Sequence, residues 1–216
     1  MGDVKAVLWD IGRVLVSFED RRDVLCRIAR RFSSDGTPDT SCFSGLYGQS
    51  LLGYLDVGQI SHRALWKMTC GAARIHPRKL PWHRFSALYV EHLKPILPIV
   101  EIARRVQESY VMVAVSDGDF GSTYAIDMLE THYGIRFHKR FESWQVGVKK
   151  PCLYKHALNF LESEHTINAD EIVCIDDIME YVEVADHLGM RGIKFDARVD
   201  GAEFLIARLV ENGVHI

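Results

Sequence analysis

Along the chain, short continuous apolar runs alternate with stretches in which apolar residues recur every three or four positions. The first pattern predicts β-strands and the second amphipathic helices. Their alternation predicts parallel βαβ units. Strands are expected at Lys5–Trp9, Val111–Val115, near Arg140–Glu142, Glu171–Ile175 and Gly192–Phe195. The run VMVAV at Val111–Val115 is too apolar for a sheet wet on one face, so helices should cover both faces. They are expected at Pro98–Glu108, with Pro98 in the first turn, and at Gly121–His132, Leu153–Leu161, Tyr181–Leu188 and Ala202–Asn212.

The interval from Ser17 to Lys94 has a different pattern, with no convincing strand. RRDVLCRIARRF and HRALWKMTCGAA have helical periodicity, and the polar SSDGTPDTS at Ser33–Ser41 reads as a loop. About 80 residues without a strand exceed an ordinary crossover. The expected architecture is therefore an α/β, Rossmann-like parallel-sheet core, residues 1–16 and 95–216, with an inserted α-helical cap, residues 17–94.

Composition narrows the function. The chain has 216 residues, enough for a full core, and a formal charge of −3, which gives no support for a nucleic-acid or anionic-membrane surface. A small molecule is the expected partner, with no nucleic acid and no membrane. The five cysteines (Cys26, Cys42, Cys70, Cys152, Cys174) show no CxxC spacing, so neither a disulfide framework nor a zinc site is indicated, and most should be buried thiols. No apolar run approaches a membrane span and MGDVKAVLW lacks the features of a leader, so a cytoplasmic location is expected. Ala6 stands where a myristoylation signal needs Ser or Thr.

Polar residues stand where apolar runs end: Asp10 after the first strand, Ser116 after VMVAV, and Asp176-Asp177 after EIVCI. The carboxyl ends of strands form the ligand crevice of open α/β sheets, so these groups should converge. Lys150, in VGVKKPCLY, precedes a turn or helix start enforced by Pro151. Singly, an Asp or Ser here could cap a helix, and Lys149-Lys150 could be a solvated pair. Together the groups form a chemical set. Asp10 and Asp176 within about 4 Å would repel by roughly 4 kcal/mol at an effective dielectric near 20, which a cation would relieve. Oxygen-only ligands favour Mg²⁺. An Asp10 oxygen could then attack phosphorus while Ser116 and Lys150 hold the non-bridging oxygens.

In this order AVLWDIGRVLV, VMVAVSD, VGVKKPCLY and IVCIDD, the last running on through VEVADHLGMRGIKF, resemble the motifs of the haloacid dehalogenase superfamily of aspartate-nucleophile phosphohydrolases. The resemblance implies Asp10 as nucleophile, Ser116 as phosphate ligand and Lys150 as stabiliser of both. It implies Mg²⁺ held by Asp10, the Gly12 carbonyl and Asp176, with Asp177 beside them. It also implies a Rossmann-like core with a helical cap, and YLDVGQIS with HRALW looks like the cap helix pair of the sugar-phosphate phosphatase branch. Phosphatases of that superfamily usually carry a second Asp where this chain has Gly12, so the acid–base help of that group, about 10²–10⁴-fold, is missing. Asp117, read with Ser116 and Lys150 as substrate-binding, stands beside the phosphate site where Asn or Gly is frequent, and Tyr181 where Asn is frequent.

The expected function is a Mg²⁺-dependent phosphatase of a small phosphorylated metabolite with a good leaving group, such as a sugar 1-phosphate or acyl phosphate. The alternative is a catalytically weak phosphate- or protein-binding module. A dehalogenase needs no Mg²⁺, and the Asp176-Asp177 pair argues against it. His62, Trp66, Trp82 and His83 could line a substrate pocket or belong to the cap core. Arg21, Arg22, Arg27, Arg30 and Arg31 read as a solvated face from which one arginine could reach substrate.

Overall fold

The computed structural model describes residues 2–33 and 49–216. Most of the loop expected at Ser33–Ser41, and Cys42, lie outside the described residues. In chain order the elements are β1 (Ala6–Trp9), β2 (Val16–Ser17), α1 (Arg21–Phe32), α2 (Gln49–Asp56), α3 (His62–Ala72), α4 (Trp82–Val90), β3 (Lys94–Pro95), α5 (Leu97–Val106), β4 (Val111–Ser116), α6 (Phe120–Tyr133), β5 (Lys139–Glu142), α7 (Ser143–Val146), α8 (Cys152–His165), β6 (Ile172–Asp176), α9 (Met179–His187), β7 (Arg191–Lys194) and α10 (Ala202–Glu211).

Five parallel strands form the sheet in the order β5-β4-β1-β6-β7. The alternation along β1 explains why both faces are covered. Val7 and Trp9 join a cluster with Ile99 and Val106 of α5, Ile126 and Leu129 of α6 and Leu205 and Leu209 of α10. Ala6 and Leu8 face the opposite way, toward Leu153, Ala157 and Leu161 of α8 and Ala185 of α9. Burial on both sides is why VMVAV contains no polar residue. The chain runs outward from β1 through β4 to β5, then returns to the other side of β1 for β6 and β7. The order therefore reverses beside β1, where α/β sheets hold their ligands.

Between β2 and β3 the described helices α1 to α4 pack round a separate cluster that includes Leu25 and Ile28, Leu55, Leu65, Phe85 and Leu88. Strands β2 and β3 pair antiparallel, Val16 with Pro95 and Ser17 with Lys94, and hold the two connections side by side. They fall at the ends of the interval read as strand-free, and at two residues each are too short to leave a sequence pattern. Of the four described cysteines only Cys70 and Cys174 are buried; Cys26 is half-buried and Cys152 exposed, against the expectation for most of them. No described helix is long and apolar enough to cross a membrane.

Candidate active site

Register brings the first carboxylates together. Trp9 pairs with Ile175 across β1 and β6, so Asp10 and Asp176, one residue further on each strand, are neighbours at the reversal point. The Asp10 N–H donates to the Ile175 carbonyl at 3.0 Å. On the other side Trp9 pairs with Ala114, which sets Ser116, the last residue of β4, at the same sheet edge. Adjacent strands are about 4.8 Å apart, so charges at their ends must be compensated.

Lys150 provides that compensation. Its Nζ donates to Asp10 Oδ1 at 2.7 Å and to Asp176 Oδ2 at 2.6 Å, and all three groups are buried. Pro151 N-caps α8, which starts at Cys152 and carries Tyr154 one turn beyond Lys150. The Tyr154 hydroxyl donates to the same Asp176 oxygen at 2.7 Å, while the other Asp176 oxygen accepts from the Ile178 N–H at 2.9 Å. Burial pushes the Asp10 carboxyl up to about 7; Lys150 opposes the rise and Asp176 adds to it. For Lys150, burial alone would favour the neutral amine, but Asp10 and Asp176 outweigh it and hold the pKa above the ordinary lysine value. Asp177 is raised too, by burial and by Asp176, with Arg13 opposing; Arg13 Nη1 lies 3.4 Å from its Oδ2.

One oxygen from each of Asp10, Asp176 and Asp177 lies within 4.8 Å of the other two. Carboxylate oxygens carry two lone pairs, so Asp10 Oδ1 and Asp176 Oδ1, each accepting one hydrogen bond, keep one for a cation, whereas Asp176 Oδ2 spends both on Lys150 and Tyr154. Among the described residues no donor lies on the Gly12 carbonyl. This donor set, oxygen only, fits Mg²⁺.

Asp117 does not point bare charge at the strand ends. Its Oδ1 accepts from the Lys150 N–H at 2.9 Å and its Oδ2 from the Tyr181 hydroxyl at 3.2 Å. Burial raises its pKa, with the Lys150 N–H opposing, and burial together with Asp117 raises Tyr181 to about 12. Asp117 and Tyr181, two of the three positions at which the sequence departs from the motifs it resembles, thus satisfy each other.

Asp10, Ser116, Asp117, Lys150, Asp177 and Tyr181 line a cavity of about 250 Å³ together with Gly12, Phe18, Arg21, Tyr89 and His92; Asp176 and Tyr154 are not among its lining residues. Arg21, alone of the arginine cluster, turns inward: Nη1 lies 2.5 Å from Asp56 Oδ1 and 3.3 Å from Asp119 Oδ2. Asp56 also holds Lys149 at 2.7 Å, so the lysine beside Lys150 ties α2 to the core. Asp119 N-caps α6 and accepts from the Tyr89 hydroxyl at 2.5 Å. Neither His62, Trp66, Trp82 nor His83 lines this cavity. The first three pack instead: His62 Nε2 accepts from the Phe120 N–H, Trp66 donates to the Leu80 carbonyl, and Trp82 lies on Phe85 and Phe120. Tyr154, Phe18, Tyr89, His92 and Asp119 were not singled out by sequence. Of these, only Tyr154 had a local signal, one helical turn past Lys150.

No protein-family model and no curated protein sequence matches the chain. Solved structures do match. A HAD-family enzyme from Bacteroides thetaiotaomicron superposes with a TM-score of 0.72 at 16% identity, covering 94% of this chain and 99% of its own. The same enzyme in complex with magnesium and inorganic phosphate superposes with a TM-score of 0.67, also at 16% identity, over 93% of this chain and 98% of its own. A predicted HAD-like family hydrolase from Porphyromonas gingivalis superposes with a TM-score of 0.70 at 16% identity, over 97% of this chain and 98% of its own. An L-2-haloacid dehalogenase from Xanthobacter autotrophicus, with chloropropionic acid covalently bound, follows at 0.53 and 16%, over 99% and 85%.

Proposed function

We propose that this chain, which has the α/β fold of the HAD-like hydrolases, is a Mg²⁺-dependent phosphatase of a small phosphorylated metabolite, with Asp10 as nucleophile. The observation that carries the reading is the buried Lys150 Nζ seated between Asp10 and Asp176, with Asp10, Ser116 and Lys150 lining one cavity. An Asp10 oxygen attacks phosphorus and the bond from phosphorus to the leaving oxygen breaks, giving an aspartyl phosphate. Ser116 and Lys150 hold non-bridging oxygens, and the ammonium offsets charge as it develops there. Water then attacks phosphorus, the bond to Asp10 breaks, and the carboxylate is regenerated as phosphate leaves and a proton passes to solvent. Asp10, Asp176, Asp177 and the Gly12 carbonyl would hold Mg²⁺, which when bound neutralises the carboxylates and polarises phosphoryl oxygens.

With Gly12 in place of a side-chain acid, the leaving group departs unassisted, which favours sugar 1-phosphates, acyl phosphates and other good leaving groups. A screen of phosphorylated metabolites with and without Mg²⁺, with acid-quench trapping of phospho-Asp10, tests the reading. Turnover and trapped phosphoenzyme should both vanish in Asp10→Asn. Persistence of turnover in that variant would rule out covalent catalysis. The second reading, a phosphate-binding module with vestigial turnover, is favoured by one feature, the Phe18 ring lying against Gly12. It predicts phosphate binding without trapped phosphoenzyme.

A further inference from the structure

The loops that carry Ser116 and Lys150 are bonded to each other and to the α1–α4 helices. Ser116 ends β4 and leads into the segment 117–119 before α6, and Lys150 lies between α7 and α8. Asp117 joins the two loops, its Oδ1 accepting the Lys150 N–H at 2.9 Å. Asp119, at the far end of the first loop, accepts from the Tyr89 hydroxyl of α4 at 2.5 Å and from Arg21 Nη1 of α1 at 3.3 Å. Lys149, next to Lys150 on the second loop, donates to Asp56 Oδ2 at the end of α2 at 2.7 Å. Asp56 Oδ1 accepts from the same Arg21 nitrogen at 2.5 Å, so the two ties form one network.

That network offers the loops a fixed point. Asp56, Asp119 and Tyr89 are buried. Burial opposes the charge on Arg21, but Asp119 and Asp56 outweigh it and hold its pKa above the ordinary arginine value. The turn after Asp56 packs flush on the core: at Gly58, where φ is 70°, a side chain would collide with the Trp144 carbonyl. Asp56 is thus anchored both by Arg21 and by its own backbone turn. Neither Asp56 nor Lys149 lines the catalytic cavity. Misplacing a reacting group by about 1 Å can cost about a hundredfold in rate, so what holds these loops bears on the chemistry.

Resting on the phosphatase reading above, we infer that Asp56 is a positioning residue: through Lys149 on one side, and through Arg21 and Asp119 on the other, it fixes the loops that carry Lys150 and Ser116. The test compares wild type with Asp56→Asn, Lys149→Met, Lys149→Arg and the double variant Asp56→Asn/Lys149→Met, each well below its Tm. Calorimetry with inorganic phosphate and Mg²⁺ gives affinity, and acetyl phosphate gives kcat/KM. Both should fall about 3–10-fold in Asp56→Asn and in Lys149→Met, the size of one pairwise coupling. Lys149→Arg should retain most of both, and the double variant should be no worse than Asp56→Asn. The sign in Asp56→Asn separates positioning from simple attraction, because removing a negative charge near an anion site would by itself tighten phosphate binding. Lys149 is half-exposed, so Lys149→Met keeps the fold and serves alone should Asp56→Asn not fold. Its loss of affinity should persist at about 0.5 M salt, which screens attraction at a distance.

The inference is overturned if Asp56→Asn binds phosphate as well as wild type or more tightly. It is equally overturned if the Lys149→Met loss is absent or disappears in salt, or if the two losses multiply in the double variant. Failure of the phosphatase reading shows separately: acetyl phosphate then yields no phospho-Asp10, while the phosphate affinities still decide the role of Asp56. A wild-type protein that binds no phosphate overturns both.

Discussion

The Phe18 ring covers Gly12 so closely that a Cβ built on the glycine would lie 2.8 Å from Phe18 Cε1. The space a side chain at position 12 would enter is therefore held by an aromatic ring. That ring is half-exposed and stacked under Arg13, whose guanidinium carbon is 5.3 Å from its centroid. The positive φ in this turn belongs to Arg13, at 59°, and not to Gly12. Contact with Phe18, and not backbone conformation, is thus the obstacle to a side chain at position 12.

Gly12→Asp should accordingly fold, because Cε1 is the far end of a side chain with solvent beside it. The expected loss of stability is under about 1 kcal/mol, below the usual 1–3 kcal/mol for overpacking a rigid core. Turnover of an ordinary phosphomonoester should rise at least about tenfold, below the full acid–base effect. Adding Phe18→Ala should recover stability without reducing the gain. Thermal denaturation beside steady-state rates checks both. A folded Gly12→Asp protein with no gain on any phosphomonoester moves the balance to the binding-module reading.

Asp176 accepts from Lys150, Tyr154 and the Ile178 N–H, so its removal tests metal binding and packing at once. Asp176→Ala leaves the buried Tyr154 hydroxyl unmet, takes one of the two carboxylates on Lys150 and frees the part-buried Ile178 N–H, and should lose about 3–5 kcal/mol, as broken buried pairs do. Asp176→Asn keeps the shape and an acceptor oxygen, so it should stay folded yet bind Mg²⁺ at least about tenfold more weakly, the effect of losing a carboxylate ligand. Calorimetry showing wild-type Mg²⁺ affinity in Asp176→Asn would remove Asp176 from the ligand set.

Lys150→Met should have the opposite metal dependence. Without the ammonium, Asp10 and Asp176 face each other uncompensated, and the metal-free protein should lose about 3–5 kcal/mol. Mg²⁺ would then replace the missing charge, so the rise in Tm on adding Mg²⁺ should be larger in Lys150→Met than in wild type. An equal or smaller rise argues against a cation site between these carboxylates.

The sheet and the polar strand ends were legible in the sequence because buried parallel strands are apolar throughout and stop where the ligand crevice begins. VMVAV ends at Ser116 and IVCI at Asp176 for that reason. Contacts between distant residues were not legible. That Tyr181 would meet Asp117, or Phe18 cover Gly12, depends on how α9 and the β2 connection dock. The pattern marked Arg21 only as one of five arginines. Its inward turn follows from Asp56 and Asp119, which lie 35 and 98 residues further along the chain.

His62 carries a pH dependence whose sign can be worked out. Its Nε2 accepts the Phe120 N–H at 3.1 Å and its ring lies 3.8 Å from the Phe120 ring, joining α3 to the start of α6. Acceptance requires the neutral ring. Burial lowers the pKa below the ordinary 6.5, Asp119 opposing and Arg21 adding to the shift. A group with a depressed folded pKa contributes stability that is present above its unfolded pKa and is lost as pH falls through that value toward the folded one. The His62 contribution should therefore be complete above about pH 7 and decline as pH falls below about 6.5. The ring is partly open to solvent, so the effect is a shallow slope in Tm between pH 7 and 5. His62→Gln, whose carbonyl oxygen can accept but cannot be protonated here, should flatten that slope while lowering Tm at pH 7.5 only slightly. An unchanged slope in His62→Gln assigns the acid sensitivity to other groups. A slope of opposite sign in wild type, with Tm rising on acidification through this range, contradicts the neutral-acceptor geometry.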